Sequence, residues 1–155
     1  MKRLKFAPGV WPALMADLHR RGGERRESGA FLLRQTSEVD GAVDTWLPYD
    51  ELAPESLNYA YVRLESSAFS RLWAICAERK LEVIADVHTH PKGPRQSLID
   101  RANPMISLAG HIALVVPRFA RGNVMPRSVS FNIYLGGGKW VSYLRKNAAS
   151  LITLR

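Results

Sequence analysis

Residues 82–91 read EVIADVHTHP, and the rest of the chain is best understood outward from them. The first six positions are rich in Val and Ile, the signature of a strand. That strand runs directly into His88-Thr89-His90-Pro91. Side chains two apart on an extended backbone leave on the same side, so both imidazoles can reach one ion. Imidazole nitrogens suit zinc, and a catalytic zinc takes three protein ligands and keeps one position open for water. Asp100, beyond the Lys92-Gly93-Pro94 turn, offers the third ligand. The same aspartate also closes the spacing Ser97-Leu98-Ile99-Asp100, that of a capping box in which Ser97 caps a short helix and Asp100 reaches back to the serine amide. A carboxylate engaged by a metal is poorly placed to close that box, so the two roles compete for Asp100.

Hydrolysis at a metal also needs an acceptor for the proton of the attacking water. Glu27 opens Ser28-Gly29-Ala30-Phe31-Leu32-Leu33, a run fit for a buried strand, where burial tunes a carboxyl toward proton transfer. On surroundings alone Glu24 is nearly as well placed. An ion pair of Glu27 with Arg25 or Arg26 accounts for the same residue without chemistry.

Around this centre the chain alternates helix and strand. Residues 11–21 place Trp11, Leu14, Met15 and Leu18 at helical spacing, with Gly22-Gly23 as the stop. Residues 39–47 alternate loosely and suit a hairpin partner for the strand after Glu27. Residues 48–58 read as loop and 59–64 as strand. Residues 67–80 carry Phe69, Leu72, Trp73 and Cys76 on one helical stripe. Downstream come a short helix within 97–105, strands at 111–116, 130–135 and 140–144, a glycine turn at 136–138, and a tail at 147–155 open to helix or strand. This pattern predicts an α/β protein, one domain spanning 1–155, with a mixed sheet flanked by helices.

Composition narrows the function classes. The 155 residues suffice for one well-buried core. No apolar run approaches a membrane span. The basic start at 1–5 passes into Phe6-Ala7-Pro8-Gly9 and an amphipathic segment, so no signal peptide is expected. The single cysteine, Cys76, forms no intrachain disulfide and sits on an apolar stripe, so a core role and a reducing cytoplasm follow. The net charge of +8 favours acidic or polyanionic partners, with Arg118, Arg121 and Arg127 as candidates to orient one. No nucleic-acid motif accompanies them, and nucleic acid is not the expected partner. The glycines at 136–138 lack the lysine of a phosphate-binding loop. His111 reads as a structural residue before a group supporting the ligands, His19 as surface, and Trp11, Trp73 and Trp140 as packing.

Taken together, Glu27-Ser28-Gly29-Ala30-Phe31-Leu32-Leu33, His88-Thr89-His90-Pro91 and Ser97-Leu98-Ile99-Asp100 resemble the JAMM, or MPN-plus, metalloprotease family. The loop from Pro91 to Gln96 is one residue shorter than the family usually has, and Ala30 and Arg34 stand where glycines are common. The resemblance implies one zinc held by His88, His90 and Asp100, with Glu27 as the general base and Ser97 as a donor to the oxyanion. Asn103-Pro104-Met105 and Gly110-His111 are similar to the bacterial branch encoded beside ubiquitin-like modification enzymes. That branch implies cleavage after the C-terminus of a ubiquitin-like protein, with E1-like and E2-like partners. The alternatives are an amidase on cell-wall peptide or another small amide, and a non-catalytic module binding nucleic acid through its charge.

Overall fold

The computed structural model of the protein describes residues 2–38, 41–58 and 61–154. Six strands form the central sheet: β2 (Gly29–Gln35), β3 (Thr45–Pro48), β4 (Leu81–Thr89), β5 (Ile112–Val116), β6 (Ser130–Gly136) and β7 (Lys139–Tyr143), in spatial order β3-β2-β4-β5-β6-β7. All neighbours run antiparallel except β4 and β5. A second small sheet pairs β1 (Leu4–Phe6) in parallel with β8 (Ile152–Leu154), joining the two ends of the chain. The helices are α1 (Val10–Gly22), α2 (Tyr49–Leu52), α3 (Ser66–Arg79), α4 (Leu98–Ala102) and α5 (Arg145–Ala149). The architecture is mixed α/β, a sheet flanked by helices, as the alternation in the sequence predicts.

Register sorts the strand residues onto two faces. Leu32, Val87, Leu114 and Phe131 lie on one face and join Trp11, Leu14 and Leu18 of α1 in the larger core. Gly23 ends α1 at φ 61, donating its N–H to the His19 carbonyl at 3.0 Å. On the opposite face Phe31 and Leu33 pack with Leu72 and Cys76 of α3. The strand register aligns Asp86, Ala113, Asn132 and Ser142 with Phe31 on this second face.

Several expectations need correction. The buried stripe of α3 is Ala68, Leu72 and Cys76, and Trp73 is 49% exposed, because the helix is rotated toward its small residues. Residues 48–58 are not a plain loop: α2 and a 3-10 turn at Pro54–Leu57 bury Tyr49, Leu52 and Leu57. Residues 61–64 pair with no strand among the described residues, and Tyr59 and Ala60 of that expected strand lie outside them. Val39 lies outside them as well, and the hairpin partner of β2 begins only at Thr45. The basic start forms β1, and the tail uses both options, α5 and then β8.

Candidate metal centre

The site is assembled where β2 begins and β4 ends. Gly29 lies opposite His88, and one step further the two backbones are laced together. The Ser28 N–H donates to Thr89 Oγ1 at 2.9 Å, and the Thr89 N–H donates to the Ser28 carbonyl at 2.8 Å. The Ser28 hydroxyl donates to the Leu18 carbonyl of α1 at 2.7 Å. This lacing places Glu27 beside the histidines, which no spacing in the sequence reveals. A second anchor holds His90. Its N–H donates to the Val116 carbonyl at 2.8 Å, and its carbonyl accepts the Phe119 N–H at 2.8 Å. Phe119 is central to a turn, Arg118–Ala120, whose three residues have φ of 52, 53 and 60. Strained backbone of this kind persists only where its surroundings hold it.

Three donor atoms converge. His88 Nε2 lies 3.1 Å from His90 Nε2, and Asp100 Oδ2 lies 3.3 Å and 2.9 Å from those two nitrogens. A tetrahedron with zinc–ligand bonds of about 2.0–2.1 Å has edges of about 3.3 Å, so these atoms form a face of the right size. Glu27 also places a carboxylate oxygen within 4.8 Å of both imidazoles. Two ring nitrogens with the Asp100 carboxylate against them and the Glu27 carboxylate within reach suit a divalent cation, whose charge they compensate.

Asp100 settles a conflict posed by the sequence. The capping box is formed: Asp100 N–H donates to Ser97 Oγ at 3.0 Å, and Ser97 N–H donates to Asp100 Oδ2 at 2.8 Å. That same Oδ2 faces both histidines. The two roles are therefore compatible, because a carboxylate oxygen has more than one lone pair and the cap aims one of them at the imidazoles.

Electrostatics follow from this crowding. Burial opposes the charge on Asp100, but hydrogen bonds from His88, His90 and the Ser97 amide outweigh it and hold the carboxyl well below the usual range. Burial disfavours the charged form of His88 as well, yet Asp100, Asp86 and Glu27 together raise its pKa. Burial raises Glu27 above an ordinary glutamate; His88 and His90 pull against that rise and Asp100 adds to it. Glu24 is elsewhere, paired with His19 at 3.2 Å and Arg121 at 3.1 Å, so Glu27 alone of the two enters the cluster. The Arg26 guanidinium bonds Asn58 and the Arg21 carbonyl instead.

Other residues near this cluster include two, Asp86 and Tyr49, that no motif in the sequence marks. Asp86, on the same side of β4 as His88, accepts a hydrogen bond from His111 at 2.7 Å, with both side chains buried. Its position two residues before His88 in an apolar strand is the signal that marks it. Tyr49 is fully buried with its hydroxyl unpartnered, and burial, Asp86 and Asp100 push that phenol well up. A Cβ at Gly29 would stand 2.4 Å from Tyr49 Cε2 and 2.6 Å from the Val87 carbonyl, so this glycine is required by close packing. Cys76 is buried in the smaller core, and burial pushes its thiol up. A cavity of about 730 Å³ opens beside the cluster, lined by Asp86, His88 and Asp100, by Leu64 and Phe69 on one bank and by Trp140 on the other. The Trp140 indole N–H donates to the Arg101 carbonyl at 3.0 Å, latching α4 to β7.

Residues 10–131 match the model of a family described as prokaryotic homologs of the JAB domain. The chain belongs to this family. The candidate triad of Glu27, His88 and His90 is consistent with the JAMM branch of JAB domains. The JAB fold is also found in solved structures. The solution structure of protein DSY2949 from Desulfitobacterium hafniense superposes with a TM-score of 0.63 at 15% identity, covering 98% of this chain and 93% of that one. The solution structure of a Salinibacter ruber protein gives 0.52 at 16% identity, covering 90% of each chain. Among the described residues of this JAB chain, no helix is long and apolar enough to cross a membrane.

Proposed function

We propose that the chain is a zinc-dependent peptidase or isopeptidase, folded as one JAB unit, that cuts after the C-terminus of a ubiquitin-like protein in the cytoplasm. The observation that carries this is the triangle of His88 Nε2, His90 Nε2 and Asp100 Oδ2, with Glu27 beside it. In this reading the triangle holds the metal and Glu27 remains free for proton transfer. Zinc bound there supplies Lewis acidity toward water and toward a substrate carbonyl.

The remaining work belongs to the chain's own side chains. Glu27, raised by burial, accepts a proton from the attacking water and returns it to the leaving amine. The oxygen of Ser97 is occupied by the Asp100 amide, but its hydroxyl hydrogen is left to donate to a developing oxyanion. The cavity between residues 61–65 and Trp140 accommodates an extended polypeptide tail.

The test pairs metal analysis of the purified protein with cleavage of ubiquitin-like proteins fused at their C-termini. One zinc per chain and release of the fused partner are expected, and Asp100→Asn loses both. A wild-type protein that carries zinc but cuts only cell-wall peptides moves the substrate to that class. A protein that takes up no zinc overturns the mechanism.

A further inference from the structure

Charge is distributed unevenly along the chain. Residues 1–100 hold fourteen Lys and Arg against fourteen Asp and Glu, whereas residues 101–155 hold eight Lys and Arg and no acid. The whole +8 therefore belongs to the later segment, which builds β5, β6 and β7, then α5 and β8. Elsewhere several arginines are answered by acids: Arg20 and Arg21 by Asp17, Arg34 by Glu82. Within the basic segment, Arg121 reaches out of it to Glu24.

Three of the unanswered cations of this segment gather at one place. Where β7 passes into α5, a concavity of about 1200 Å³ is lined by Arg127, Arg145 and Lys146, with Ser142, Tyr143 and Asn147. All three basic side chains are exposed, and none forms an ion pair among the described residues. Arg145 has φ 53, a conformation that favours glycine, yet an arginine fills the position. Like charges converging on a hollow repel one another, and an anionic occupant relieves that repulsion.

Strand β7 joins this hollow to the cavity beside the ligands: Trp140 lines one and Ser142, on the same side of the strand, the other. Two residues of strand separate them by about 7 Å. A protein whose tail enters the first cavity along this strand brings its body within reach of the second. We propose that the hollow formed by Arg127, Arg145 and Lys146 docks a carboxylate-rich surface of the protein that is cut at the metal centre. The partner's identity rests on the function proposed above; the surface itself rests on the charge geometry. Nucleic acid fits less well, because the hollow offers one half-buried ring, Tyr143, and no exposed platform on which bases stack.

The experiment measures binding of a fluorescein-labelled polyglutamate peptide to the full chain by anisotropy, beside a single-stranded oligonucleotide of equal charge. Wild type is compared with Arg127→Ala/Arg145→Ala/Lys146→Ala and with a control on other elements, Arg25→Ala/Arg79→Ala/Lys80→Ala, which removes the same charge. The peptide is expected to bind wild type and the control alike, and to weaken about tenfold or more in the hollow variant. Thermal melts verify that each variant is folded. The docking site is overturned if the peptide does not bind, if both variants weaken equally, or if the hollow variant binds as wild type does. Tighter binding of the oligonucleotide than of the peptide, lost in the hollow variant, overturns it in favour of nucleic acid. Binding is read without turnover, so a failed cleavage test and a failed docking test are told apart.

Discussion

On one face of the six-stranded sheet Leu32, Val87, Leu114 and Phe131 are wholly enclosed beneath α1; on the other, the same strands present Asp86, His88, Ser130 and Asn132. The first face is held by area removed from water, at roughly 1.5–3 kcal/mol for each large apolar side chain fully buried. The second has a smaller apolar core under α3, and beyond it is held by specific hydrogen bonds: Asp86 to His111, Ser130 to the Pro94 carbonyl, and Asn132 to Ser130. Such contacts add little net stability, but each is costly to leave half-made. Helix α4 shows the extreme case: it buries no residue, Leu98 is 86% exposed, and it stays in place through its capping box and the Trp140 latch. One face therefore supplies most of the apolar burial, and the other, beside its smaller core, positions a few polar atoms.

The largest expected effect separates the two faces outright. Glu27→Gln should lower turnover on the order of 10³-fold, about 4 kcal/mol in the transition state, with zinc content and melting temperature unchanged. Leu14→Ala is the converse: it should cost about 3 kcal/mol in urea unfolding and leave zinc stoichiometry intact. If Leu14→Ala also released zinc, the division between the faces would fail. Gly29→Ala lies on the boundary. Its new Cβ meets the Val87 carbonyl as well as Tyr49, so about 2 kcal/mol of stability should go together with weaker zinc binding, read by chelator competition.

The smallest effect sharpens the account of the apolar side. Asp17, on α1, is buried; that burial raises its pKa, but hydrogen bonds from Trp46 and Arg21 outweigh it and hold the carboxyl below its usual value. A depressed folded-state pKa adds stability that is full above the unfolded value of about 3.9 and is lost as pH falls through the folded one. Asp17→Asn should thus cost about 1–2 kcal/mol near neutrality, with the difference from wild type closing below about pH 4 in melts across pH.

Much of this was legible before any coordinates. The run 82–91 declares strand, paired imidazoles and exit loop at once, because period two and ligand chemistry reinforce each other there. Glu27 was legible only as one of two candidates, since its selection over Glu24 depends on Ser28 and Thr89 bonding across sixty-one positions of sequence. Trp73 misled because a helical stripe defined by size alone ignores that Ala68 permits closer approach to the sheet. Residues 48–58 misled for a related reason: prolines and acids suggest solvent, yet Tyr49 is placed by the space that Gly29 leaves open. His111 is legible as a residue of structural or supporting role, but its pairing with Asp86 is not, because only the parallel register of β4 with β5 brings them together.

The parallel pair also determines where this molecule can change. Two parallel neighbours cannot be joined by a tight hairpin, so the chain must cross over between Thr89 and Ile112, and that crossover carries Asp100, α4 and several residues lining the cavity, among them Gln96, Ile99 and Met105. Lengthening a loop is cheap, about 0.6 kcal/mol for each doubling. Evolution, or an engineer, can therefore redraw what the protein accepts within one segment while His88, His90 and the sheet beneath them stay as they are.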